Sequence, residues 1–259
     1  PCSTVDYIGD IRDSKLLRYA LSGVDVVIHT AALHAPHVGY RTENEFIDIN
    51  VNATELLAKI AVEQRISHIV FTSTTALYGA ASTPDSKAGW ITENTTPLPK
   101  TIYHRSKIQA ENLLEKISKD TSLPVTVLRI SRCFPEPADM MAVYRLNRGV
   151  DARDVASAHA RAIQVRPSGI TRYIVSASTP FNMNDCELLY FSADELIRKY
   201  APVLADEFSV RGWSLPTKLD RVYDSSLAQK ELKWMPKYSY EEVCAQLDAC
   251  VAEVLPVTN

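Results

Sequence analysis

Tyr103-His104-Arg105-Ser106-Lys107 sets a phenol and an ammonium four positions apart, and on a helix that spacing puts both on one face. A tyrosine with an ordinary pKa near 10 is a poor base at neutral pH, but an adjacent ammonium favours its phenolate. Such a pair exchanges a proton with a substrate hydroxyl. Tyr-x-x-x-Lys also arises by chance, so its surroundings decide its weight. Upstream, Phe71-Thr72-Ser73-Thr74-Thr75-Ala76-Leu77-Tyr78-Gly79 gathers hydroxyls at the end of an apolar run, where a substrate oxygen can be hydrogen-bonded. His34 and His37 stand three apart with no third ligand nearby; a metal site needs more donors, so the expectation is a shaped loop and no metal.

These groups need elements to carry them. Val24-Asp25-Val26-Val27-Ile28-His29 is β-branched and almost continuously apolar, the pattern of a strand covered on both faces. A helix is predicted over 43–64, where Phe46, Ile49, Leu56, Leu57, Ile60 and Ala61 recur at helical spacing. A buried strand follows at 68–72, then a polar loop over 80–101, a helix over 103–117 and a strand over 125–130. Strand, helix, strand, helix, strand predicts a doubly wound α/β fold on a parallel sheet, with ligands at the carboxyl ends of the strands. Beyond Pro135 the alternation weakens. A helix at 154–164, a strand at 172–176 and helices at 194–200, 225–232 and 240–254 are expected there. Residues 1–135 are thus assigned to the sheet core and 136–259 to the remaining sheet elements and a smaller lobe.

The 259 residues carry a formal net charge of −3, with 46% hydrophobic and 23% charged positions. An acidic chain without a basic run lacks the footprint of a nucleic-acid binder. No apolar stretch approaches the roughly 18–20 residues of a membrane span. Residues 1–10 show no basic segment followed by an apolar one, so no leader is expected. Five scattered cysteines (Cys2, Cys133, Cys186, Cys244, Cys250) without a C-x-x-C pair fit free thiols and a cytoplasmic location. No two of the eight glycines lie within five residues of each other, which excludes a P-loop.

Taken in order, Gly9-Asp10-Ile11-Arg12-Asp13, His29-Thr30-Ala31-Ala32, Asn50-Val51-Asn52-Ala53-Thr54, the hydroxyl-bearing run and Tyr-x-x-x-Lys resemble the extended short-chain dehydrogenase/reductase family. The group resembled is the NAD-dependent epimerase/dehydratase group that includes UDP-galactose 4-epimerase. The likeness resumes at Val150-Asp151-Ala152-Arg153-Asp154-Val155-Ala156 and in the tail at Tyr223-Asp224-Ser225-Ser226-Leu227-Ala228 and Glu231-Leu232-Lys233-Trp234-Met235-Pro236. It implies a Rossmann-like fold, NAD or NADP as cofactor with NAD preferred, a small-molecule substrate such as a sugar nucleotide, and a homodimer built on helices 43–64 and 103–117. By the same resemblance Tyr103 would be the acid/base, Lys107 its partner and a ligand of the nicotinamide ribose, and Thr74 the catalytic hydroxyl that also binds substrate. Asp10 and Ile11 would meet the adenine, Ala31 and Ala32 the pyrophosphate and ribose. Asn50 would order the loops around the cofactor, and Thr72 and Ser73 would line its nicotinamide side. Arg132 and Arg221 would reach the substrate, Arg221 standing equally for a surface salt bridge.

Departures refine the expectation. The family's Gly-x-x-Gly-x-x-Gly turn has no match in the sequence, so the chain is expected to lack the first strand-helix-strand unit. Thr74 is followed by Thr75-Ala76 rather than the Asp-Glu pair of sugar dehydratases, which disfavours dehydration. The segment Arg129-Ile130-Ser131-Arg132-Cys133-Phe134-Pro135 lies where the resembled sugar-nucleotide epimerases typically carry an Asn, with Arg132 offered to a phosphate or carboxylate instead. Three functions are therefore weighed: a sugar-nucleotide epimerase, a dehydrogenase or carbonyl reductase of a small non-nucleotide substrate, and a non-catalytic nucleotide-sensing protein. Asp154 is expected to cap its helix and Asp151 to order the turn before it. Trp213, Trp234 and Tyr240 read as packing residues. Val243, Leu247, Cys250, Val251 and Val254 form an apolar stripe, either core or a dimer face.

Overall fold

A computed structural model describes residues 6–252. In chain order the elements are α1 (Ser14–Ala20), β1 (Val26–His29), α2 (Glu43–Ile47), α3 (Ala53–Glu63), β2 (His68–Thr74), β3 (Gly89–Ile91), α4 (Ile102–Thr121), β4 (Val125–Ile130), α5 (Ala138–Asn147), α6 (Ala152–Val165), β5 (Ile170–Val175), α7 (Cys186–Phe191), α8 (Ala193–Tyr200), α9 (Pro202–Val210), β6 (Arg221–Tyr223), α10 (Ser226–Glu231) and α11 (Val243–Asp248). One sheet has the strand order β1-β2-β4-β5, and β3 pairs with β6. β1 and β2 run parallel, with Val26 opposite His68 and His29 opposite Phe71. This is the α/β architecture expected from the alternation of apolar runs.

The chain divides into two compact units. The first holds the residues up to Ser73, Pro99–Val127 and Ala162–Arg172; the second holds Thr74–Leu98, Leu128–Arg161 and the residues from Tyr173 on.

In the first unit Leu57, Ile60, Ile69, Phe71, Leu114 and Val127 belong to one buried cluster, against which Ile11 packs. Local chemistry sets the helix ends. Asp13 caps α1 through Lys15 N at 2.9 Å, and Thr42 and Glu45 form a reciprocal capping box at α2. Thr101 caps α4, which ends at Ser122 in the left-handed region with φ 59°. The single helix expected over 43–64 is interrupted: Asp48–Asn52 form a π-helical turn between α2 and α3.

The second unit is organised around Ala142, Leu146, Leu189, Ile197, Phe208 and Val222. Gly89 opens β3 in contact with the 82–84 segment, and a Cβ there would lie 2.7 Å from the Ser82 carbonyl oxygen. Asp151, not Asp154, takes the capping role. The helix begins at Ala152 because Asp151 accepts from Arg153 N at 2.9 Å and so acts as the cap. Asp154, inside the first turn, instead accepts from Lys237 N and Tyr238 N at 2.8 and 2.9 Å. Trp234 donates to Ser157, and Trp213 packs edge-on against Phe208, both packing roles. The stripe over 243–254 is shorter than expected. α11 ends at Asp248, and Cys250 is exposed with φ 51°, while Val254 lies outside the described residues. α1, α5, α7, α9, β3 and β6 are additions to the expected elements.

Candidate active site

Tyr103 and Lys107 lie in the first turns of α4, both buried. Lys107 Nζ donates to the Thr72 carbonyl at 2.7 Å and sits 4.0 Å from the centroid of the Phe71 ring. Burial pushes this ammonium down to about 7, against the opposing charge of Glu111. The Tyr103 ring lies against His34, centroids 6.1 Å apart.

Asn50 fixes the neighbourhood of this pair. It stands in the π-helical turn, where Ala53 N reaches back five residues to Asp48 O, and such turns concentrate at functional sites. Its side chain clamps Leu33 at both backbone groups, accepting from Leu33 N at 2.7 Å and donating to Leu33 O at 3.0 Å. The same amide donates to Ser106 Oγ at 3.0 Å, and Ser106 donates to the Tyr103 carbonyl at 3.0 Å. One side chain therefore ties the segment after β1 to the helix that bears Tyr103. His34 N donates to His37 Nδ1 at 2.8 Å; among the described residues no group of His, Cys, Asp or Glu is arranged to hold a metal.

His29, on β1, lies within reach of the Lys107 charge. Thr54 Oγ1 gives its proton to the Asn50 carbonyl at 2.9 Å, so its oxygen accepts from His29 Nε2 at 2.8 Å. Burial, then the Lys107 charge, push His29 down to about 3. A histidine depressed in the folded state costs stability as pH falls below its unfolded value near 6.5. Urea unfolding at pH 7 and pH 5 is expected to show about 2 kcal/mol of acid-induced loss from His29, and a His29→Gln variant is expected to lose that share of the slope. An unchanged slope would remove the neutral imidazole from the account.

The other sequence candidates fall as follows. Asp10 is exposed and bound to Arg12, with Arg12 N and Nε at 2.8 and 2.9 Å from Oδ1, and these bonds hold its carboxyl down to about 2. Ala31 and Ala32 lie in the irregular segment after β1, Ala31 exposed and Ala32 half-buried. Ser73 Oγ donates to Glu111 at 2.6 Å, a carboxylate that the sequence reading passed over. In the second unit Thr74 ends β2, and its hydroxyl accepts from Ala76 N at 3.1 Å. Arg132 is ion-paired with Glu136, its Nε at 2.7 Å. Arg221 is forked onto Asp220 at 2.9 and 2.7 Å and also donates to Ser82 at 3.0 Å.

These residues suit the nicotinamide-ribose end of a dinucleotide. The buried Lys107 has three donors and one backbone acceptor, which leaves N–H groups for ligand hydroxyls, beside a backbone segment clamped by Asn50. The glycine turn that would cradle a pyrophosphate has no counterpart in the sequence.

The profile of the NAD dependent epimerase/dehydratase family matches residues 6–143. The chain belongs to that family, and its parallel α/β sheet is the Rossmann-like fold of its structural neighbours. It is 32% identical over 135 residues to the N-acetyl-alpha-D-glucosaminyl-diphospho-ditrans,octacis-undecaprenol 4-epimerase of Escherichia coli O157:H7, covering 51% of this chain and 38% of that one. It is 30% identical over 146 residues to the 3 beta-hydroxysteroid dehydrogenase/Delta 5-->4-isomerase of Vaccinia virus (strain Ankara), covering 54% and 42%. The matched stretch thus spans less than half the length of these relatives. Among solved structures, MoeE5 in complex with UDP-glucuronic acid and NAD superposes with a TM-score of 0.65 at 19% identity, covering 92% of this chain and 82% of that one. Among the described residues no helix is long and apolar enough to cross a membrane.

Proposed function

We propose that the protein is an NAD-dependent oxidoreductase of the epimerase type that acts on a sugar nucleotide. The observation that carries this reading is the buried ammonium of Lys107, held on the Thr72 carbonyl one helical turn from Tyr103. A bound nicotinamide supplies a hydride acceptor and donor. Tyr103, with its phenolate favoured by the neighbouring ammonium, takes the proton from a substrate hydroxyl and later returns it. Lys107 holds the positive charge and offers N–H groups to the ribose; Asn50 keeps the 31–34 backbone in place beside it. Thr74 is the hydroxyl assigned to the substrate oxygen. Asp10, Ile11, Ala31, Ala32 and Ser73 are assigned to the remaining cofactor contacts. Likeness to a UDP-glucuronic acid complex supports the sugar-nucleotide class, and kinship to a 4-epimerase of an undecaprenol-linked amino sugar supports epimerisation.

A second reading is favoured by the ion pairs at Arg132 and Arg221, which leave neither arginine uncompensated for a substrate phosphate. It is a dehydrogenase of a small non-nucleotide alcohol, in line with the hydroxysteroid dehydrogenase kinship. The two separate in paired assays with NAD, one on sugar nucleotides such as UDP-glucuronic acid and one on a hydroxysteroid. Epimerised product without accumulating reduced nicotinamide supports the first. No conversion of any sugar nucleotide, together with stoichiometric reduction of NAD by a hydroxysteroid, overturns it for the second. The protein is further proposed to be cytoplasmic and to form a homodimer through α2, α3 and α4, a state that light scattering in solution reads directly.

A further inference from the structure

Lys107, Glu111, Glu115 and Lys119 recur at every fourth position of α4 and so share one stripe. The stripe runs from the interior to the surface. Lys107 and Glu111 are buried, whereas the side chains of Glu115 and Lys119 are 30% and 69% exposed and pair with each other. Glu115 and Lys119 thus form the surface pair common on helices. Glu111 is different, because a carboxylate taken out of water persists in its charged form only with donors and an opposite charge around it. Ser73 Oγ at the end of β2 donates to one oxygen at 2.6 Å, and Arg172 Nε of β5 donates to the other at 3.1 Å. Arg172 also reaches Glu115 at 2.8 Å, so its cation is shared between two carboxylates. The buried negative charge is therefore built and anchored from two strands, one turn beyond the catalytic lysine.

We infer that Glu111 is a positioning residue for Lys107: its carboxylate, pinned by Ser73 and Arg172, favours the protonated amine that donates to the Thr72 carbonyl. The inference rests on the reading of Tyr103 and Lys107 as a working pair. The amine meets the Phe71 ring and Thr72 carbonyl of β2, its charge acts on His29 of β1 and His34 after β1, and Tyr103 stands four positions back on its own helix. Arg172 supplies positive charge to Glu111. Burial is the main influence pulling the amine toward its neutral form, and the charge of Glu111 opposes it. Without that opposition the amine sheds its proton at neutral pH and no longer favours the Tyr103 phenolate.

The test is a titration of Lys107 in the intact protein, read from carbon-13 at lysine Cε and assigned with Lys107→Arg. The wild-type midpoint is expected at about 7. In Glu111→Gln, which keeps shape and removes charge, it is expected to fall by about one unit or more, a tenfold loss of proton affinity. A merely structural role has the opposite sign, because loosened packing readmits water and raises the midpoint. An unmoved or raised midpoint overturns the proposal. In Glu111→Asp the charge remains and the midpoint is expected within about half a unit of the wild type; should the Gln variant fail to fold, a rise of about one unit or more in the Asp variant overturns the proposal instead. This readout needs no turnover. A failure here leaves the acid/base role of Tyr103 standing, and an active Tyr103→Phe protein leaves the Lys107 midpoint where it was.

Discussion

Replacing Tyr103 with phenylalanine is expected to lower turnover by about 10²–10⁴-fold, the range for removal of a positioned acid/base, while leaving the fold intact. The ring remains, so the contact with His34 and the burial in the first turn of α4 survive. Ser106 still donates to the backbone carbonyl of residue 103, and Asn50 still clamps Leu33. What goes is the proton carrier. The loss belongs in kcat, because the phenol acts on the reacting hydroxyl rather than on remote binding groups. Steady-state kinetics with both substrates varied checks it: an unchanged kcat removes Tyr103 from the chemistry and leaves the proton transfer to another group.

The largest effect on stability is expected at a distance from that pair, in the second unit. Asp151→Ala should destabilise by about 3–5 kcal/mol, the cost of stranding a buried charge. Arg145 is 3% exposed at its side chain and Asp151 1%. Arg145 Nη2 donates to Asp151 at 2.7 Å, and Arg153 adds bonds to both carboxylate oxygens at 2.8 Å. Burial alone would push the Asp151 carboxyl up, but the hydrogen bonds from Arg153 and the charge of Arg145 outweigh it, so the group lies below its ordinary value. A depressed carboxyl contributes stability that is present above the unfolded pKa near 3.9 and lost as pH falls through the folded value. The variant is therefore expected to lose stability at pH 7 and to show a flatter acid limb than the wild type. Urea unfolding measures both. The double variant Arg145→Met with Asp151→Leu removes the stranded charge and should recover most of the loss; no recovery would mean that packing rather than charge sets the cost.

Much of the sheet and of the reacting pair is legible in the residues themselves. The 24–29, 68–72 and 125–130 runs announce strands because they are largely apolar, β-branched and short, and the four-residue step from Tyr103 to Lys107 is visible without coordinates. The π-helical turn is not. Phe46, Ile49, Leu56 and Ile60 keep helical spacing through it, and the interruption at Asp48–Asn52 goes with Asn50 bonds to residues 33 and 106, partners that no local pattern names. Glu111 shows the same limit. Its place in an every-fourth charge stripe is visible, but a solvated stripe and a buried one read alike until Ser73 and Arg172 are brought to it. Asp151 and Asp154 both suit a helix start, and the choice falls to the guanidinium of Arg145 six residues earlier. β3 and β6 are three residues each and pair across about 130 positions, below the length at which alternation carries a signal.

The most direct measurement follows a deuterium label at the 4-position of UDP-glucuronic acid in the presence of NAD. If Tyr103 and Lys107 drive hydride transfer within a tightly held complex, the epimerised sugar keeps its deuterium at that carbon, reduced nicotinamide does not accumulate, and the Tyr103→Phe protein forms epimer at least about 10²-fold more slowly. Epimer carrying solvent hydrogen at the 4-position, or formed at the wild-type rate by Tyr103→Phe, would contradict that chemistry.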